Sequence, residues 1–105
     1  MIQWPCIFKL DGDDELLYLA SEASLIAEFE SLIWSDDDYL IDSQGQGYKV
    51  REAKAGVFVY EPCGNPLSVL EVTDLIQAHE FSKAEVCITK IQFLSVSDAI
   101  RALAN

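Results

Sequence analysis

Positive charge is scarce in this chain. Seven lysines and arginines stand against eighteen aspartates and glutamates in 105 residues, and the formal net charge is −11. A nucleic-acid surface needs a basic patch to neutralise phosphates, and anionic lipid attracts basic clusters, so neither ligand class is expected. Long hydrophobic runs are also missing. No stretch approaches the roughly 20 apolar residues of a membrane span. The first apolar run stops at Asp11 and has no basic start, so no targeting segment is expected and the chain reads as cytoplasmic. Cysteine is limited to Cys6, Cys63 and Cys87, an odd and widely spaced set that reads as reduced thiols rather than a disulfide framework. No C-x-x-C, G-x-G-x-x-G, P-loop, G-x-S-x-G or H-E-x-x-H pattern occurs, so no metal, cofactor or catalytic constellation is expected.

What the chain does have is a core. Half of its residues are hydrophobic and 10% are aromatic, among them Trp4, Trp34, Phe29, Phe58, Phe81 and Phe93. That composition suits one globular domain over residues 1–105, with roughly two-thirds of the unfolded chain's surface buried on folding. Trp4 to Leu10 and Glu15 to Ala20 read as a β-hairpin around the Asp11-Gly12 turn. Ser21 opens a helix, with Ser21 or Ser24 as its cap. Leu25, Ile26, Phe29, Leu32 and Ile33 recur on one face up to an end near Trp34. Tyr39 to Asp42, Tyr48 to Glu52 and Val57 to Tyr60 form an antiparallel meander with the last strand central, and Pro62 to Pro66 breaks the sheet. Leu67 to Val72 reads either as a strand or as a first helical turn with Ser68 and Glu71 as a capping box. Thr73 is expected to cap a helix to Phe81. Glu85 to Phe93 reads as a strand and Val96 to Ala104 as a last helix. The order β-β-α-β-β-β-α-β-α defines an α+β fold with a small antiparallel or mixed sheet.

Few residues invite chemistry. His79, the sole histidine, can serve as a base or a ligand. Without a paired nucleophile it reads better as a half-buried residue satisfied by a backbone carbonyl or a glutamate such as Glu80. Cys63 lies in a Pro-Cys-Gly-Asn-Pro loop with no neighbouring cation to lower its pKa. Cys6 and Cys87 alternate within apolar segments and read as core. The three cysteines with His79 lack the knuckle spacing of a zinc site. Asp11 to Glu15 lacks the glycine and glutamate positions of a calcium loop, so it reads as a solvated turn.

Met1-Ile2-Gln3-Trp4-Pro5 with Asp13-Asp14-Glu15-Leu16, and Leu40-Ile41-Asp42-Ser43-Gln44-Gly45, resemble a gamma-proteobacterial family of small uncharacterised proteins. Leu75-Ile76-Gln77-Ala78-His79 and Cys87-Ile88-Thr89-Lys90-Ile91 are similar to its second half. The resemblance implies a domain of unknown function in a small soluble intracellular bacterial protein. It draws notice to His79 and Lys90, which sit in these segments, and assigns neither a role.

Charge patterning carries the functional expectation. Eleven of the acids fall in the first 42 residues, against one base, Lys9. An acidic surface from the hairpin turn, the first helix and Asp36, Asp37 and Asp38 would meet a basic protein, with Trp34 as the anchor. Two alternatives are a homo-oligomeric structural protein pairing through a sheet edge or apolar patch and a small enzyme using His79. The acids also serve solubility alone if they scatter.

Overall fold

Period-two alternation in Cys6-Ile7-Phe8 sends neighbouring side chains to opposite faces of a sheet, and here both faces are covered. Cys6 and Phe8 pack with Leu19, Leu25, Phe29, Leu40, Tyr48 and Val50, whereas Ile7 packs with Leu16, Ile41, Val72, Ile76, Val96, Ala99 and Ile100. The computed structural model describes residues 2–12, 15–35, 37–82 and 93–104. Its elements are β1 (Cys6–Lys9), β2 (Leu16–Leu19), α1 (Glu22–Phe29), β3 (Tyr39–Ile41), β4 (Gly47–Lys54), β5 (Val57–Cys63), α2 (Val69–Ser82) and α3 (Val96–Arg101), which runs into a 3-10 turn at Ala102–Ala104. The strands form one antiparallel sheet in the order β2-β1-β3-β4-β5. One face carries α1 and the other carries α2 and α3, an α+β architecture as the sequence implies.

The hairpin, the meander and the three helices fall where their patterns place them, and four details differ. The first is α1, which ends at Phe29 rather than near Trp34. Only Leu25 and Phe29 of its stripe are fully buried, and Ile33 is 91% exposed. Leaving the helix lets Trp34 turn back to the sheet, where its indole N–H donates to the Val50 carbonyl at 2.9 Å. The second is β5, which is an edge strand and not the central one. Its apolar Val57 and Val59 are exposed, because neither α2 nor α3 extends over that part of the sheet.

The third difference is that Pro62 does not break the sheet. It pairs opposite Tyr48 within β5, and a proline is tolerated there because an edge strand has a side with no ladder to supply. The fourth concerns α2. Ser68 and Glu71 form its reciprocal capping box, with both backbone-to-side-chain bonds at 3.1 Å, so Thr73 is an interior residue. Thr73 Oγ1 instead donates back to the Val69 carbonyl at 2.7 Å. The strand expected over Glu85 to Phe93, with Cys87 and Lys90, lies outside the described residues.

Candidate functional site

The register Lys9↔Leu16 and Lys9↔Tyr39 brings the β1–β2 turn and the loop before β3 to one end of the sheet. Asp38 joins them. Its carboxylate accepts the backbone N–H of Asp11 at 2.6 Å and that of Ser35 at 2.7 Å. It is only 6% exposed, so it is spent on structure rather than offered to a partner. Asp11 and Asp37 remain exposed on the two joined segments, and Glu15 and Glu30 are exposed where the adjoining elements begin and end. Asp13, Asp14 and Asp36 lie outside the described residues.

Trp34 is half-buried at this side of the molecule. Its ring lies 4.5 Å from Phe29 and 5.9 Å from Phe58, between centroids. Together with the bond to Val50 this makes it a wall of the core, not a projecting anchor. The expected cluster of Trp34, Asp37 and Asp38 is therefore contiguous in space but divided in role. Asp37 faces solvent, Asp38 stitches two turns together and Trp34 seals the sheet.

His79 is 5% exposed, and its Nδ1 accepts the Leu16 backbone N–H at 2.8 Å. That acceptance fixes the tautomer with the proton on Nε2 and ties α2 to the start of β2. Cys63 closes β5 and lines a separate shallow cleft with Tyr39, Lys49 and Leu67, so it does not meet His79. Cys6 is fully buried, and burial, followed by the charge of Asp42, pushes its thiol far above the ordinary range. Among the described residues no group of three His, Cys, Asp or Glu side chains could hold a metal.

The opposite end of the sheet carries an arrangement that the sequence does not announce. Asp42, almost fully buried at the end of β3, accepts three backbone N–H bonds. Gln3 donates to Oδ2 at 3.1 Å, while Gln44 and Gln46 donate to Oδ1 at 2.9 and 3.1 Å. Ser43 adds an N–H bond to the Gln3 carbonyl at 2.9 Å and a hydroxyl bond to the Pro5 carbonyl at 2.6 Å. The segment around Trp4 is thereby pinned to the β3–β4 turn. Across from it, the Tyr60 hydroxyl donates to Glu22 Oε2 at 2.9 Å, joining β5 to the first turn of α1. Burial raises the Tyr60 pKa, and the Glu22 hydrogen bond and charge raise it further. Ile2, Trp4, Glu22, Tyr48, Tyr60 and Pro62 line the resulting cleft of about 350 Å³. Alternation along β4 and β5 puts Tyr48 and Tyr60 on one face and is legible in the sequence. The approach of Trp4 and Glu22 depends on tertiary packing and has no local signal.

Fold and surface define a small acidic α+β domain with helices on both faces of a five-stranded antiparallel sheet. The chain belongs to the DUF4144 family, described as a protein structure with unknown function, which it matches over residues 4–103. It is also similar to a solved structure, the NMR structure of a protein from Shewanella amazonensis. The two are 26% identical with a TM-score of 0.73, over 99% of this chain and 89% of that one. The family and that bacterial relative agree with the resemblance drawn from the sequence. A comparison with curated proteins gives no match. Among the described residues no helix is long and apolar enough to cross a membrane.

Proposed function

We propose that this domain is a protein-interaction module whose acidic end binds a basic protein partner. The observation that carries the reading is the Asp38 bridge. It holds two acidic turns side by side and leaves Asp11 and Asp37 exposed on them. Turns that wandered independently would spread their charge over a larger volume. Held together, they concentrate a negative potential that speeds encounter with a positive surface and discriminates among partners. The net charge of −11 reinforces that potential at long range.

The test is capture of partners from a cell extract at low salt and at about 1 M salt, where the screening length falls to about 3 Å. Specific basic proteins retained at low salt and released at high salt are expected. Retention that ignores salt, or a bound set with no excess of basic proteins, contradicts the reading. Homo-oligomerisation is the second reading, favoured by the exposed Val57 and Val59 on edge strand β5. Sedimentation at high protein concentration tests it, with a monomer as the result that rejects it.

A further inference from the structure

The cleft between Trp4 and Tyr60 shares no lining residue with the acidic turns, and the proposed function makes no use of it. Its lining combines two tyrosines, one tryptophan and the apolar Ile2 and Pro62 with a single charged group, the Glu22 carboxylate. None of the described lysines or arginines lines it. Aromatic faces carry negative electrostatic potential and attract cations, tryptophan most strongly. A carboxylate beside such rings supplies the charge-assisted hydrogen bond that a guanidinium or ammonium group needs.

Both walls are held in place before any ligand arrives. The Asp42 and Ser43 bonds fix the Trp4 segment, and the Tyr60 hydroxyl fixes one oxygen of Glu22. Sites fixed in advance lose less freedom on binding. A volume of about 350 Å³ lies near the small end of ligand sites, so it suits a single long side chain better than a large cofactor. Tyr60 and Pro62 belong to the edge strand, where a passing chain has access.

We propose that this cleft receives the cationic side chain of an arginine or lysine presented by a polypeptide. The alkyl stem lies against Trp4, Tyr48 and Pro62, and the charged head meets the Glu22 carboxylate and the ring of Tyr60. The site is independent of the acidic turns and stands or falls apart from them.

The test is an NMR titration of the full chain with acetyl-Gly-Arg-Gly-amide, its neutral citrulline counterpart, and tetramethylammonium. The arginine peptide should shift the Trp4 indole and Tyr60 ring resonances saturably, with the citrulline peptide weaker by at least about five-fold. Glu22→Gln should weaken the arginine peptide by up to about five-fold. Tyr60→Leu should abolish the response, while Tyr60→Phe, which keeps the ring, should retain it and guards against a folding defect. Asp11→Asn/Asp37→Asn should leave it unchanged. Equal binding of the citrulline peptide, or shifts confined to other residues, would overturn the proposal. So would loss of binding in the Asp11→Asn/Asp37→Asn variant, which would mark the response as diffuse charge attraction. Binding of tetramethylammonium without the peptide would overturn it in favour of a free quaternary cation.

Discussion

The carboxylate of Asp38 and the backbone N–H of Asp11 meet at 2.6 Å across 27 residues of chain. This contact fastens the β1–β2 turn to the loop entering β3. An aspartate in an acidic run therefore acts as a structural brace, while its neighbour Asp37 keeps its charge in solvent.

Removing the brace should loosen both turns. Asp38→Ala leaves the N–H groups of Asp11 and Ser35 without their charged acceptor, and each such bond contributes about 1.5–3 kcal/mol. A loss of about 2–4 kcal/mol in denaturant unfolding is expected, with faster amide exchange at Asp11 and Ser35. Asp37→Ala, with its side chain exposed, should change stability by less than about 0.5 kcal/mol. Equal effects of the two substitutions would contradict the division of roles.

His79 is expected to matter for stability. His79→Ala removes the acceptor for the buried Leu16 N–H and opens a cavity between α2 and β2. A cost of about 2–4 kcal/mol is expected. Thermal unfolding checks it, and a melting temperature equal to that of the wild type would refute the structural role.

Gly45 sits at φ +86° between Asp42 and the chain entering α2. Its carbonyl accepts the Leu67 N–H at 2.8 Å, and an added Cβ would overlap the Leu67 backbone oxygen. Gly45→Ala should cost at least about 2 kcal/mol, from left-handed strain and forced separation of two backbones. Gly12→Ala, at φ +78° but with open space around it, should cost only the smaller conformational term. Equilibrium unfolding of the two variants should rank them in that order, and the reverse ranking would contradict the packing at Leu67.

Alkaline pH should destabilise the fold. Burial raises the pKa of Cys6 and Tyr60 above their unfolded values, so the native state holds protons that the unfolded state has released. Unfolding free energy should stay level up to about pH 8.5, where an unfolded thiol begins to ionise, and fall beyond it. The Tyr60 contribution adds to the fall above about pH 10. Cys6→Ala should flatten the curve between those two values. A stability that rises over this range would contradict the sign.

Much of this architecture is legible in the sequence because local chemistry and tertiary packing agree. Asp11-Gly12 turns the first hairpin, Ser21 caps α1 by accepting the Ser24 N–H at 3.3 Å, and Ser95 caps α3 by accepting the Asp98 N–H at 3.1 Å. The sequence misleads where packing overrides pattern. Ile33 extends a helical stripe that the protein abandons so that Trp34 can reach Val50. Val57 and Val59 look central because they are apolar, yet strand order leaves them at an edge. The site residues are harder to read. Asp38 and Asp42 look like surface acids until a distant backbone partner, Asp11 for the first and Gln3 for the second, joins the local ones and closes around them. The cleft joins Trp4, Glu22 and Tyr60 from three separate segments, with no spacing that links them.

The most direct measurement of the central claim compares partner capture by three proteins at low salt: the wild type, Asp11→Asn/Asp37→Asn, and Asp74→Asn/Asp98→Asn. Both variants lose the same charge, but only the first loses it from the braced turns. Selective loss of the salt-sensitive partners in Asp11→Asn/Asp37→Asn is the predicted result. Equal retention by all three proteins, or equal loss in both variants, would contradict a binding surface at the acidic end.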